Sequence, residues 1–327
     1  MSMWLAGATA KVRSACGGPK SAKDGAVREV PMDDDTASGG VGNADVETLA
    51  DAMLSAIEQG LEALPSAAQT AVSGALDTTM SAVASLGREF VRRYQRLEID
   101  CEQIEFDQPT LLVANHGFGG IFDLNVLAIS AALEQLDLRR PVTILTHQLA
   151  WTLGVGPLIE PLGARPASHE SAREAFDNGH HVVVLPGGDV EASKTTQDRD
   201  QIIFAGRTGF ARLAIEQNVP IVPLVTAGAG ESLLVLSNGE RLARALKLDE
   251  LLRVKTLPVT VSLPWGLNVG VAGMLPYLPL PTKLHTRVLA PITHQSGESA
   301  QNFAERVQTY MQDALTEMTK NRRPLLG

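Results

Sequence analysis

Thr110-Leu111-Leu112-Val113-Ala114-Asn115-His116-Gly117-Phe118-Gly119-Gly120-Ile121-Phe122-Asp123 is the stretch on which the fold turns. Thr110 to Ala114 is a short apolar run, the pattern of a buried strand. Leu124 to Leu133 carries apolar residues at helical steps and predicts an amphipathic helix. The loop between them holds three glycines, which tolerate tight turns and let backbone N–H groups approach a ligand. His116 stands at the end of the strand and Asp123 at the start of the helix. An imidazole within reach of a carboxylate is a general-base pair: the carboxylate selects the tautomer and the other ring nitrogen takes a proton.

Outward from this stretch, strands alternate with helices. Strands are predicted at 97–106, 110–114, 141–146, 181–185, 220–225 and 283–289. Helices are predicted to about Leu136, near 149–153, and over 168–178, 205–217, 239–254 and 299–320. Such alternation implies an α/β domain with a largely parallel, mixed sheet flanked by helices, occupying 98–327. Ligands of these sheets sit beyond the carboxyl ends of strands, where the His116 loop lies. Before this domain, Val46, Leu49, Met53, Ile57, Leu61 and Leu64 recur at helical steps, Pro65 interrupts, and a second helical pattern runs from Ser66 to Leu97. Residues 43–97 therefore read as a helical hairpin. Its Arg88, Arg92, Arg93 and Arg96 suit either a helix carboxyl end packed on the main domain or a lipid headgroup layer. Residues 1–42, rich in Gly, Ser, Ala and Asp, read as a disordered tail.

The 327 residues are 44% hydrophobic and 20% charged, enough for a sizeable core. A net charge of −9 argues against nucleic acid as a partner. Two cysteines, Cys16 and Cys101, make no disulfide framework, and no Cys/His cluster has metal-ligand spacing. These features suit a reducing cytosol, and Met1 to Ala10 lacks the basic start of a signal peptide. Thr256 to Thr282 carries no charge and is long enough to span a bilayer, but its five prolines and three glycines break any continuous helix. It reads instead as a buried strand and loop, or as a surface that dips into lipid.

Two further segments carry candidate chemistry. Val182-Val183-Val184-Leu185-Pro186-Gly187-Gly188-Asp189-Val190-Glu191-Ala192-Ser193-Lys194 is a buried strand running into a Pro-Gly-Gly turn, whose N–H groups could face an anion or an oxyanion. Arg207 lies at a predicted helix start, where the dipole disfavours a cation; a specific anionic partner or a surface salt bridge accounts for it. Arg165, after Leu162-Gly163-Ala164, carries the same two alternatives. No Gly-x-Ser-x-Gly elbow, phosphate-binding Gly-x-x-x-x-Gly-Lys loop or dinucleotide Gly-x-Gly-x-x-Gly is present. His180 and His181 open a strand and are expected at the surface.

Taken in order, these segments resemble the PlsC-like glycerolipid acyltransferase superfamily, from about Leu97 to Ile292. Asn115-His116 with Asp123 resembles its His-to-Asp motif, with six intervening residues where the common form has four. Pro186-Gly187-Gly188 with Glu191 resembles the Pro-Gly-Gly-x-x-Glu of the diacylglycerol acyltransferase and phytyl ester synthase branch. It replaces a Pro-Glu-Gly-Thr-Arg whose Arg helps hold a lysophosphatidate phosphate. Arg207-x-Gly209-Phe210, Val222-Pro223 and Gly230-Glu231 also resemble that branch. The resemblance implies that 98–327 is an acyltransferase domain with His116 as general base supported by Asp123. It implies Asn115, Gly119, Gly120, Arg165, Pro186, Gly187, Gly188, Glu191, Arg207 and Glu231 in substrate binding. The donor would be acyl-CoA or acyl carrier protein as co-substrate, with no cofactor and no metal. The acceptor would be a lysophospholipid, diacylglycerol or long-chain alcohol. The protein would sit on the cytoplasmic face of a membrane, peripheral or monotopic. An acyl-lipid-binding protein with a degenerate site and a lipid hydrolase are the competing classes; the missing serine elbow disfavours the latter.

Overall fold

The computed structural model describes residues 66–102, 104–118, 123–136, 138–147, 151, 156–246, 257–270 and 277–327. The strands are β1 (Glu98–Cys101), β2 (Leu111–Ala114), β3 (Val142–Thr146), β4 (Ala164–Pro166), β5 (His181–Val184), β6 (Ile221–Ala227), β7 (Leu234–Ser237), β8 (Val259–Ser262), β9 (Gly266–Val269) and β10 (His285–Val288). Seven of them form one sheet in the order β1-β10-β6-β2-β5-β3-β4. Only the β10–β6 pairing is antiparallel, so the sheet is mixed and mostly parallel, as the strand–helix alternation predicts. β2 occupies its centre, with β5 and β6 parallel on either side. That is why its sequence is a continuous apolar run: Leu111 and Val113 enter the core on one face, Leu112 and Ala114 on the other.

The principal helices are α1 (Ser66–Arg93), α2 (Leu124–Gln135), α3 (His169–Asp177), α4 (Gly188–Ala192), α5 (Gly209–Gln217), α6 (Glu240–Ala245) and α7 (Ala300–Thr319). Phe176 of α3, Phe210 and Leu213 of α5, and Phe303, Val307 and Met311 of α7 build the core on one side of the sheet. On the other side α2 covers β2 and is itself covered by α1, through Val91 against Leu124, Ala128 and Ala131. α2 is therefore apolar nearly all round rather than amphipathic. The basic end of α1 is engaged within the protein. Arg88 and Arg92 pair with Glu134 at 3.3 and 2.5 Å, Arg93 pairs with Glu89, and Arg96 donates to the carbonyl of Leu325. The first arm of the expected hairpin and the 1–42 tail lie outside the described residues, as does most of the short helix expected near 149–153.

Two boundaries differ from the sequence reading. The strand expected over 97–106 is only Glu98–Cys101, an edge strand whose ladder among the described residues is with β10. The helix expected from Ala205 starts at Gly209, because Ala205 and Gly206 adopt positive φ (52° and 71°) and turn the chain. Arg207 therefore sits in that turn and not at a helix start.

His181 corrects the surface placement. β5 is an interior strand, so His181 is fully buried, with its ring edge-on to Phe106 at 5.6 Å. Neither ring nitrogen has a hydrogen-bond partner. Burial, aided by Arg140 and His180, lowers its pKa from 6.5 to about 4. The unfolded chain then binds the extra proton between those two values, so acidification through this window lowers stability, by up to about 1.4 kcal/mol per pH unit. His181→Leu is expected to flatten the pH dependence of urea unfolding between about pH 6.5 and 4 relative to the parent chain. Parallel pH profiles for the two proteins would refute this.

Of the uncharged Thr256–Thr282 stretch, the described residues 257–270 form the β8–β9 hairpin, which pairs antiparallel with β7 in a separate three-stranded sheet and is only half buried. Ser262 opposes Gly266, and Gly266 at φ 70° closes the three-residue loop Leu263-Pro264-Trp265. Among the described residues no helix is long and apolar enough to cross a membrane.

Candidate active site

Because β2, β5 and β6 run parallel, their carboxyl ends open on the same edge of the sheet. Three loops meet there: the His116 loop, the Pro186-Gly187-Gly188 turn and the Gly228 turn. Asn115 ties the first to the third. Its Nδ2 donates to the Thr226 carbonyl at 3.1 Å and its Oδ1 accepts the Thr226 N–H at 2.8 Å. Its own carbonyl accepts from the Asn125 amide of α2 at 2.7 Å. Asn115 is thus the clamp at the strand end. Gly117 follows because a Cβ there would stand 2.8 Å from the Ala229 Cβ and 2.9 Å from Asn125 Oδ1.

His116 Nδ1 lies 2.9 Å from Asp123 Oδ2. The six-residue spacing therefore closes. Asp123 is the N-cap of α2: its Oδ1 accepts the N–H groups of Asn125 (2.9 Å) and Val126 (3.3 Å), which leaves Oδ2 aimed at the imidazole. A carboxylate accepts and does not donate, so Nδ1 carries the ring proton and Nε2 carries the lone pair. Among the described residues Nε2 takes no hydrogen bond. The two side chains are 17% and 12% exposed, shielded yet reachable. Gly119 and Gly120 lie outside the described residues.

Glu191 lies on α4, fully buried. Its Oε2 accepts the backbone N–H of His116 at 3.1 Å and its Oε1 the N–H of Ile203 at 3.2 Å. Lys194, one helical turn on, approaches at 3.8 Å and donates to the Gln201 carbonyl at 2.8 Å. Burial raises the Glu191 pKa, opposed by Lys194 and His116; burial likewise lowers that of Lys194, opposed by Glu191. Gly187 leaves the space this carboxylate fills, since a Cβ there would strike Glu191 and come 2.6 Å from the Ile203 carbonyl. The Pro-Gly-Gly-x-x-Glu motif thus holds the His116 loop. Glu191→Ala is expected to lower turnover by about 10²-fold, the scale of a misplaced catalytic group. Glu191→Gln, which still offers an acceptor oxygen, should recover most of it; equal kcat in both variants would exclude this positioning role.

Arg207 reaches back over the same turn. It donates to the Pro186 carbonyl at 3.1 Å and to that of Gly187, and pairs with Asp189 at 2.6 Å. The anion it meets is Asp189. The Gly188 N–H is taken up by the Leu185 carbonyl at 3.2 Å, so this turn does not present a pair of free donors. Arg165 is on edge strand β4, three strands from β2, about 14 Å at ordinary strand spacing. It pairs with Glu160 at 3.2 Å on the surface. Glu231 is buried in the Gly228 turn and accepts from Arg322 Nε at 2.6 Å, Thr282 Oγ1 at 3.0 Å and the Leu325 N–H at 2.7 Å. Burial alone would raise its pKa, but these donors outweigh it and hold it low. It fastens the carboxyl-terminal segment beside the His116 loop.

Sequence reasoning gave no role to Asp189, Lys194 or Tyr277. Asp189 and Lys194 stand in the motif segment, and their spacing to Glu191 was the available signal for Lys194. Tyr277 lies far along the chain, yet it packs with Phe118, Leu233 and Val235 next to His116, its ring 6.3 Å from that of Phe118. Burial, with Asp123 nearby, pushes its hydroxyl pKa upward. An open cavity of about 360 Å³ beside Pro186 is lined mostly by apolar side chains, among them Leu145, Leu185, Phe210 and Leu213, with His147 and Arg207 also on its wall.

The His116–Asp123 pair thus lies at the carboxyl edge of a mostly parallel α/β sheet, with the apolar cluster of Phe118, Leu233, Val235 and Tyr277 beside it. Residues 88–227 match the family model described as Acyltransferase. The match holds His116, Asp123, Glu191 and Arg207 and stops short of Glu231, so it is narrower than the resemblance read from the motifs. An uncharacterized protein of Mycobacterium tuberculosis (strain ATCC 25618 / H37Rv) is 28% identical over 213 residues, 64% of this chain and 56% of that one. A "DGAT1/2-independent enzyme synthesizing storage lipids" is 25% identical in Bos taurus, over 68% of this chain and 64% of that one. In Gallus gallus the protein of the same name is 28% identical over 62% and 61%. The chain thus spans little more than half the length of the mycobacterial relative and less than two thirds of the others. The crystal structure of the 1-acyl-sn-glycerophosphate (LPA) acyltransferase PlsC from Thermotoga maritima covers 86% of this chain at 14% identity with a TM-score of 0.46, too loose a likeness to bear on function.

Proposed function

We propose that this acyltransferase moves a fatty acyl group from an acyl thioester, acyl-CoA or acyl carrier protein, to a lipid hydroxyl at the cytoplasmic face of a membrane. The observation that carries the reading is the 2.9 Å contact of His116 Nδ1 with Asp123, which leaves Nε2 as the base. Nε2 takes the acceptor's hydroxyl proton as the oxygen attacks the thioester carbonyl. The tetrahedral intermediate collapses with loss of the thiolate, which takes the proton from the imidazolium, and no acyl-enzyme forms.

The acceptor in this proposal is uncharged, a diacylglycerol or a long-chain alcohol. A phosphate needs a cation, and the two in the motif segments are engaged: Arg207 with Asp189 and Lys194 with Glu191. The storage-lipid names of the relatives agree with that choice. The apolar cavity beside Pro186 suits a hydrocarbon chain. Purified full-length chain, labelled acyl-CoA and a panel of diacylglycerol, long-chain alcohol and lysophosphatidate, resolved by lipid chromatography, tests both points. Labelled ester from the uncharged acceptors is expected. Ester from lysophosphatidate alone would overturn the acceptor assignment, and no ester from any acceptor or donor would overturn the reaction.

A further inference from the structure

The three-stranded sheet is inside out. In an antiparallel sheet with one face on a protein and one in water, apolar residues point inward and polar residues outward. Here Thr260, Ser262 and Asn268 are buried, with Asn268 Nδ2 donating to Ser262 Oγ at 2.9 Å, and, apart from the buried Val235 and the half-buried Val259, the apolar residues point out. Leu236, Val261, Leu263, Leu267 and Val269 are all exposed, Leu267 at 66% and Leu263 at 56%. A one-residue change of register would exchange the two faces, so the ladder selects this orientation.

The setting points to one occupant. The loop at the hairpin tip carries Trp265, half exposed, between Leu263 and Leu267. Tryptophan with aliphatic neighbours and no charge is the composition of a segment seated at a bilayer interface. No charged residue occurs from Thr256 to Thr282. Immediately before it in sequence, residues 240–255 hold five basic side chains (Arg241, Arg244, Lys247, Arg253, Lys255) against three acidic (Glu240, Asp249, Glu250). In a chain of net charge −9 this is a locally basic stretch, complementary to anionic headgroups. The sheet also adjoins the site: Val235 of β7 packs with Phe118, two residues from His116.

We propose that the outward face of the β7–β8–β9 sheet is a lipid-docking surface, with the Leu263-Pro264-Trp265 tip inserted at the interface of an anionic leaflet. A lipid acceptor then reaches His116 past Phe118 without crossing water. This last point rests on the acyltransferase reading; the docking itself does not.

The test uses the full chain with vesicles of phosphatidylcholine and phosphatidylglycerol. Leu263→Asp/Leu267→Asp is expected to reduce flotation about tenfold or more per site while acyl transfer to a water-soluble short-chain alcohol is unchanged. Flotation equal to the parent's would overturn the proposal. Trp4→Phe/Trp151→Phe leaves Trp265 as the only tryptophan, in an otherwise intact sheet. Its emission should shift to the blue and be quenched by brominated lipid chains; unchanged emission would overturn the proposal even if the aspartate variant failed to fold. Concentration-dependent dimers of the parent, abolished by the same aspartates without any flotation, would assign the face to a second copy instead. A chain that floats but transfers no acyl group keeps the docking surface and loses the reaction. A chain that transfers but does not float does the reverse.

Discussion

His116→Ala is expected to lower the turnover of acyl transfer by about 10²–10⁴-fold, the usual contribution of a positioned general base. The fold should survive. The imidazole's one hydrogen bond among the described residues is to Asp123, whereas the loop is held by other groups: the Asn115 amide on Thr226 and the Glu191 carboxylate on the His116 N–H. Removing the ring leaves those contacts in place, and Asp123 keeps its role at the α2 N-terminus. Melting temperature close to the parent's, with KM for the thioester nearly unchanged and kcat collapsed, is the expected signature of a group acting in the transition state. Near-normal kcat would remove His116 from the mechanism.

Asp123→Asn should approach the same loss by a different route. The substitution preserves an oxygen to cap Asn125 and Val126, so α2 keeps its start. The amide nitrogen, however, now faces His116 Nδ1 and donates to it. The ring proton moves to Nε2, the atom that must accept from the acceptor hydroxyl. A wrong tautomer of this kind costs up to about 10⁴-fold in a hydrolase triad, and the same logic applies here. Stability within about 1 kcal/mol of the parent and a loss of kcat near that of His116→Ala would fit; in Asp123→Ala the cap is lost too, at a further cost of about 1 kcal/mol. Full activity in Asp123→Asn would show that the 2.9 Å contact does not set the base.

Much of the site was legible because its residues are local in sequence. His116 and Asp123 belong to one strand–loop–helix unit, and the strand's apolar run and the helix start placed them at its two ends. What the spacing could not say was whether six intervening residues let them meet; the N-cap geometry of Asp123 decides that. Arg207 shows the opposite case. Its charge left open an external anion or a salt bridge, and a turn made by Ala205 and Gly206 swings it onto Asp189, eighteen positions earlier. His181 was misplaced because the opening position of a strand was taken for the surface, and only the strand order, with β5 between β2 and β3, buries it. The same holds for the uncharged hairpin, whose composition left open a buried strand or a lipid-facing surface until its pairing with β7 turned the apolar side chains outward.

By itself, then, the sequence determined the α/β alternation, the buried strand before His116, and the placing of His116 and Asp123 at the two ends of one loop, since each depends on neighbours within about a dozen residues, where periodicity, capping and steric rules act directly. The tertiary structure alone decided that Glu191 holds the His116 loop, that Arg207 and Glu231 are satisfied internally, and that the second sheet faces outward. Those outcomes depend on contacts between segments distant in the chain, and pairing register and burial exist only once the strands have taken their places in the sheet.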